Sequence, residues 1–332
     1  MESRDPARYT VGWICAVGVE YVAAQEFLDD EHPQLAEQHQ NDDNIYTLGS
    51  IGAHNVVIAC MPHGSYGTAS AAAVARDVLR TFPNIKFGLM VGIGGGAPTK
   101  KQDIRLGDIV VSTIARENGA VLQYDFGKTI QDQAFRTTGF LDAPPRLLTA
   151  AVQDLKARYE RRGNGLDESV NDVLSNNRRL RKRYGRPPQT CDRLYKSEFL
   201  HPDANESCDL QCAKGYDQLI PREERDGDED DMTTVHYGLI ASGNALIKDA
   251  IMRDRLAQEK GVLCFEMEAA GLMNHFKCLV IRGICDYADT HKNDDWQGYA
   301  AMAAAAYAKD LLQRIPPSKV DAEQSLKLAT SK

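Results

Sequence analysis

Short apolar runs without helical period alternate along most of this chain with amphipathic segments, and that alternation predicts strands separated by helices. Tyr9 to Val17 (YTVGWICAV) reads as a buried strand and Val19 to Phe27 as a helix. Ile45 to Ile51 and Asn55 to Met61 flank a glycine-containing turn, as a hairpin requires. From Thr68 to Phe82 apolar residues recur every three or four positions, with Arg76, Asp77 and Arg80 on the other face. Phe87 to Val91 is a strand that runs into the glycine-rich break GIGGGAP, and Asp108 to Ile114 is another. Regular order resumes at Val235 to Ser242, followed by a helix through Arg253 and Leu256. Strands then follow at Val262 to Phe265 and Cys278 to Cys285. An alanine-rich helix from Trp296 to Leu312 closes the series, stopped by IPPSK because proline cannot continue the hydrogen-bond ladder. The expected fold is α/β: a three-layer sandwich around a central mixed, mostly parallel sheet, whose ligands bind at strand carboxyl ends.

Between about Asp154 and Thr234 this pattern fails and charge separates into blocks. Arg178, Arg179, Arg181, Lys182, Arg183 and Arg186 are basic; Glu223, Glu224, Asp226, Asp228, Glu229, Asp230 and Asp231 are acidic. The expectation is one domain over 1–318, carrying this charged stretch as a solvated, partly disordered insertion, with a flexible tail over 319–332.

Composition narrows the function classes. With 332 residues, 43% of them hydrophobic and 26% charged, the chain is long enough for a large core. A formal charge of −8 argues against a nucleic-acid coat or a polybasic membrane binder, both of which need broad basic faces. No run approaches the roughly 20 apolar residues that span a bilayer, and MESRDPARYTVGW lacks a signal-peptide pattern. Eight cysteines, five of them inside apolar runs, suit a reducing compartment, so a cytoplasmic location is expected.

Four places end buried runs with groups that can do chemistry. Glu20 follows the first strand, Gly92 to Gly96 the middle one, FEMEAAGL spans Phe265 to Leu272, and Asp286 follows CLVIRGIC. Singly, a carboxylate after a strand is more often a helix cap. Glu266 and Glu268 cannot both face solvent along an extended segment flanked by core, so one of them faces either a ligand or a helix N-terminus. Asp286, at the end of an apolar run, has a raised tendency to hold a proton and suits donation to a heterocycle nitrogen. The glycines allow close backbone approach, but their spacing is not the dinucleotide fingerprint, and no GK[ST] follows for a P-loop.

Taken in order, VGWICAVGVE, VGIGGGAP with RLGDIVVS, SGNALI, FEMEAAGL and VIRGICDYAD resemble the nucleoside phosphorylase and nucleosidase superfamily. The likeness is to its methylthioadenosine nucleosidase branch and to the effector domains of fungal immune-receptor-like proteins. It covers roughly residues 9–125 and 235–312. It implies that Asp286 protonates the purine leaving group, that Glu268 accepts both ribose hydroxyls, and that Glu20 activates the attacking water. Met267 packs against the sugar, while Gly94, Gly95, Ile93, Phe265 and Leu246 line the ribose and base sides. Three positions depart from the pattern: Ile93 replaces a hydroxyl residue, Leu246 an aromatic that stacks on adenine, and Cys285 a serine. The opening glycine segment carries no arginine for inorganic phosphate, which favours hydrolysis over phosphorolysis.

For the 5′ side, Lys100, Lys101, Arg105, Arg222 and Arg225 are candidate phosphate ligands, and the resemblance points to adenine nucleotides such as ATP. The alternatives are a purine nucleoside phosphorylase, an adenosine- or methylthioadenosine-type nucleosidase, and a catalytically idle nucleotide sensor. No cofactor is expected. His201, Cys208 and Cys212, with Cys191 upstream, invite a zinc reading, but a six-residue gap followed by Cys-x3-Cys lacks the paired knuckles of a zinc ribbon, so no metal is expected. Expected partners are a small purine nucleoside or nucleotide and, through the resemblance, further copies of the chain; nucleic acid and membrane are not expected.

Overall fold

Val11–Cys15 (β1) is buried at every position because it lies inside a sheet, bonded to a neighbour along each edge. The computed structural model describes residues 5–114, 119–132, 135–202, 206, 208, 212, 215–225, 232–292 and 294–329. After β1 come Gly18–Glu26 (α1), Asp30–His32 (β2), Tyr46–Ile51 (β3), His54–Cys60 (β4) and Thr68–Thr81 (α2). Next are Phe87–Gly96 (β5), Ile109–Ser112 (β6) and Val121–Gln123 (β7), then the short Gly127–Lys128 (β8) and Arg136–Thr137 (β9). Arg146–Arg162 (α3), Leu166–Asn176 (α4) and Arg181–Tyr184 (α5) follow, then Val235–Ser242 (β10), Ala250–Lys260 (α6), Val262–Glu266 (β11) and Cys278–Asp286 (β12). Gln297–Gln313 (α7), Pro317–Ala322 (α8) and Leu326–Ala329 (α9) end the chain.

The sheet runs β11, β10, β6, β12, β5, β1, β4, β3, β2, with β7 alongside β10. β11 also pairs antiparallel with β5, Cys264 opposite Gly96 and Phe265 opposite Gly95. That contact closes β11, β10, β6, β12 and β5 into a small barrel, from which β1, β4, β3 and β2 extend. Parallel pairs join β1 to β4 and β5, β12 to β5, and β10 to β6, β7 and β11; β6–β12, β3–β4, β2–β3 and β5–β11 are antiparallel. The fold is therefore α/β with a mixed sheet, as expected, but partly closed into a small barrel where a three-layer sandwich was anticipated.

The closure explains a second difference. The glycine run expected as a break is strand, because β5 continues through Gly96 between β12 and β11. Its glycines make room for neighbours. A Cβ on Gly94 would lie 2.5 Å from Cys264 Sγ, and one on Gly92 would lie 2.1 Å from Glu20 Oε1.

α7 packs along the sheet and is buried almost all round, which its alanines permit. A Cβ on Gly283 of β12 would lie 1.9 Å from the Ala300 carbonyl oxygen, so strand and helix approach at backbone distance. The start of the charged insertion is ordered, contrary to expectation. α3 buries Leu148, Val152, Leu155 and Tyr159, and α4 buries Leu166, Val170 and Leu174, both against α7. Their charged outer faces dilute the apolar stripe, which is why the segment reads as solvated. Arg178, Arg179, Arg181, Lys182 and Arg183 are exposed, whereas Arg186 bonds Asp167, Thr233, Met232 and Tyr299. Glu223 and Glu224 are exposed; Asp226, Asp228, Glu229, Asp230 and Asp231 lie outside the described residues. The tail is not frayed as far as it is described. Val320 and Leu326 are buried, and the Leu326 N–H donates to the Ile85 carbonyl at 2.8 Å.

Candidate active site

A buried arginine organises the ends of these strands. Arg282, in the middle of β12, is 0% exposed and faces three carboxylates. Its Nη1 lies 3.6 Å from Glu20 Oε1, and its Nη2 lies 3.4 Å from Glu268 Oε2 and in a short contact with Glu266 Oε2. Sequence reasoning missed it, because CLVIRGIC reads as core and an arginine inside it carries no spacing signal. Its charge is what allows three glutamates to share one interior.

Glu20 occupies the first turn of α1, where β1 ends and an N–H-rich helix start begins. Its Oε2 accepts from the Ala16 N–H at 2.6 Å and the Val17 N–H at 3.2 Å, and its Oε1 from the Ile93 N–H at 2.9 Å. Burial pushes its pKa up, against the pull of Arg282 and these N–H donors. A carboxylate so held is better matched to taking a proton near neutral pH. Ile93 contributes its backbone here, so loss of a hydroxyl side chain leaves this contact intact.

The two glutamates at the end of β11 and just beyond it take different parts. Glu266 accepts the Glu268 N–H at 3.1 Å and the Ala269 N–H at 3.0 Å as well as Arg282, which is a helix-capping arrangement. Glu268 has only long contacts, 3.4 Å from the Gly67 N–H and 3.2 Å from the Met267 N–H. The more loosely held of the pair is the one with capacity to accept ligand hydroxyls. Burial raises its pKa, Arg282 opposes, and the neighbouring Glu266 and Glu20 charges push it further, to about 7.

Asp286 ends β12 opposite Gly95 of β5, where a Cβ would lie 2.7 Å from Asp286 Oδ1. Arg282 lies opposite Gly92 on the same strand, so the glutamate cluster and Asp286 stand about 10 Å apart along β5. The surroundings of Asp286 are more polar than its apolar run predicted. Lys292 Nζ lies 2.8 Å from Oδ2, and the Ala288 N–H donates to Oδ1 at 2.7 Å. Cys285 Sγ is 3.5 Å from Oδ2, and Lys292 was not foreseen. Phe265 is buried against Tyr124 with ring centroids 5.9 Å apart, Met267 is half-buried, and Leu246 is exposed.

Three of the candidate phosphate ligands are already neutralised. Arg105 pairs with Asp103, Arg222 with Asp192, and Arg225 with Asp108, and the last of these ties Arg225 to the head of β6. Lys100 and Lys101 are exposed. Among the described residues one cluster has metal-ligand chemistry: His201, Cys208, Cys212 and His291, with all four ligand atoms within 4.8 Å of one another. Cys191 is not among them, and His291 was missed because it comes from the far side of the insertion.

No family model matches this sequence. It is 50% identical over 315 residues to a nucleotide-binding leucine-rich repeat (NLR)-like protein of Hyaloscypha variabilis, covering 95% of this chain and 30% of that protein. It is 33% identical over 310 residues to the ATP nucleosidase Cap17 of Escherichia coli, covering 90% of this chain and 50% of that one. In structure it matches 5′-methylthioadenosine/S-adenosylhomocysteine nucleosidase of Helicobacter pylori with a TM-score of 0.57 and 14% identity, over 92% of this chain and 99% of that one. These likenesses to nucleosidases support a place in the nucleoside phosphorylase and nucleosidase superfamily. It spans a third to a half of the length of the two sequence relatives. Among the described residues, no helix is long and apolar enough to cross a membrane.

Proposed function

We propose that this chain hydrolyses the N-glycosidic bond of purine nucleotides, with adenine nucleotides such as ATP as the substrate class, and releases free base. The observation that carries the reading is the common strand: β5 holds Glu20 through its backbone at Ile93 and sits beside Asp286 at Gly95. A ribose bound between them meets one carboxylate on the water side and another on the base side.

In this mechanism Glu20 orients a water against the anomeric carbon and takes its proton. Glu268 accepts hydrogen bonds from both ribose hydroxyls, placing negative charge beside the cation that develops as the bond to the base stretches. Met267 covers the sugar. Asp286 passes a proton to the purine, and the Lys292 ammonium on its Oδ2 resupplies it. Arg282 holds the glutamates without meeting the substrate, so it is a positioning residue. For the 5′ phosphates, Lys100 and Lys101 are the two of the five candidate cations that have no carboxylate partner among the described residues, and the likeness to an ATP nucleosidase supports the nucleotide assignment. By the same reading, the folded unit is a single catalytic domain that includes the insertion.

The test is incubation with ATP, AMP, adenosine, inosine, guanosine and methylthioadenosine, with and without inorganic phosphate, read by chromatography for free base. Adenine release from ATP without phosphate is expected, and Asp286→Asn should lower it about a thousandfold while leaving the fold intact. Strict phosphate dependence would establish a phosphorylase instead, and base release undiminished by Asp286→Asn would overturn the acid assignment.

A further inference from the structure

We propose that His201, Cys208, Cys212 and His291 form a site for a structural zinc ion that clips the insertion to the loop after β12. Zinc at 2.0–2.3 Å from nitrogen and sulfur ligands spans a tetrahedron with edges of about 3.3–3.8 Å. Here His201 Nδ1 lies 3.2 Å from Cys212 Sγ, and His291 Nδ1 lies 3.6 Å from Cys208 Sγ and 3.5 Å from Cys212 Sγ. These separations suit four ligands around one small ion.

The histidine tautomers agree with that arrangement. His201 Nε2 lies 2.9 Å from the Glu206 carbonyl oxygen, and His291 Nε2 lies 2.9 Å from the Phe199 carbonyl oxygen. A carbonyl only accepts, so each ring carries its proton on Nε2 and turns the Nδ1 lone pair toward the sulfurs. Metal-bound histidines are oriented in this way by carbonyls on their distal nitrogen. Without an ion, two thiols and two imidazole lone pairs would be matched only by weak S–H donors, in a place where Cys208, Cys212 and His291 are all buried. With it, the thiols lose their protons and all four groups are satisfied.

The ligand set is closed: two sulfurs and two nitrogens leave no open position, which marks a structural ion rather than one that activates water. Its place gives it a purpose. Tyr195 stacks on His291 with centroids 4.1 Å apart, so the insertion already lies against this loop. One small cavity is lined by Asp286 at the end of β12, by Tyr287, Asp289 and His291 from the loop after it, and by Tyr195 and Cys208 from the insertion. His291 immediately precedes Lys292, the partner of Asp286. The ion would fix the backbone that carries that pair.

The test does not depend on the nucleosidase reading, because it counts metal. The full chain is purified without a histidine tag under reducing conditions from zinc-supplemented medium, and its metal is measured by mass spectrometry. About one zinc per chain is expected. Cys208→Ser, Cys212→Ser and His291→Ala should each fall to background, while Cys191→Ser keeps its zinc. To keep the test independent of how a variant lacking a ligand folds, wild-type chain is also stripped and reloaded with cobalt(II), whose thiolate charge-transfer and tetrahedral visible bands report two sulfur ligands directly. Background zinc with no cobalt bands would leave only hydrogen-bonded thiols or a Cys208–Cys212 disulfide and overturn the proposal, as would full zinc in both serine variants.

Discussion

Asp108 and Glu268 are both buried carboxylates facing an arginine, yet they end at opposite extremes. Asp108 is fully buried, which by itself raises its pKa, but hydrogen bonds from Arg225 and His236 and their charge bring it down to about 2. It also accepts the N–H groups of Arg105 and Thr234. At the Arg282 cluster the ratio is reversed: one guanidinium serves three carboxylates, and Glu268 is raised to about 7. An oversupply of cations makes a fastener that holds the insertion to β6. An undersupply leaves a carboxylate with capacity for hydroxyls it has yet to meet, which is the condition of a site.

The most severe way to break this comparison is Arg282→Met. It strands three buried carboxylates and should cost about 5 kcal/mol or more, enough to unfold a marginal domain, with base release lost. Urea unfolding and chromatographic assay check it; a stable, active variant would remove Arg282 from its central place. Asp108→Asn should cost about 3–5 kcal/mol by leaving Arg225 short of its counter-charge, with activity per folded molecule unchanged. Lost activity in a folded Asp108→Asn chain would mean that the fastener reaches the chemistry.

Glu268→Gln should lower kcat/KM about a hundredfold, since a neutral amide accepts hydroxyls more weakly than a carboxylate. The same variant sharpens the contrast through pH. Glu268 binds its proton more tightly folded than unfolded, so stability declines as pH rises from 4.5 towards 7, by at most about 1.4 kcal/mol per pH unit. Asp108 has the opposite sign: its contribution is complete above pH 3.8 and is lost as pH falls towards 2. Urea midpoints measured across pH should show both limbs in the wild type, a weakened limb towards neutral pH in Glu268→Gln, and a weakened acid limb in Asp108→Asn. The smallest effect is expected from Lys292→Met, about a tenfold fall in kcat with KM held and the pH profile displaced. An unchanged profile would make Lys292 a bystander.

Much of this was legible because hydrophobic period reports burial. β1, α1, the β3–β4 hairpin, α2, β10, β12 and α7 lie within a residue or two of where the patterns put them. Glu20, Glu268 and Asp286 stood out as carboxylates that end buried runs. What escaped notice depends on partners remote in the chain. Barrel closure rests on Cys264 and Phe265 meeting Gly96 and Gly95, a pairing with no local signature. Arg282 sits in an apolar run and acquires meaning only from glutamates on other elements. The roles of Glu266 and Glu268 could not be divided until their N–H donors were known. The grouping of His201, Cys208 and Cys212 with His291 left no mark in the spacing because His291 lies 79 residues beyond Cys212.

The glycine strand has one more consequence. Since β5 bonds the Glu20 carboxylate through the Ile93 N–H and abuts Asp286 at Gly95, the spacing of these two points along the strand is set by peptide geometry, and it works as a built-in ruler. Side-chain substitutions elsewhere can reshape what lies beyond either end of that measure, but the measure itself changes only if the main chain moves.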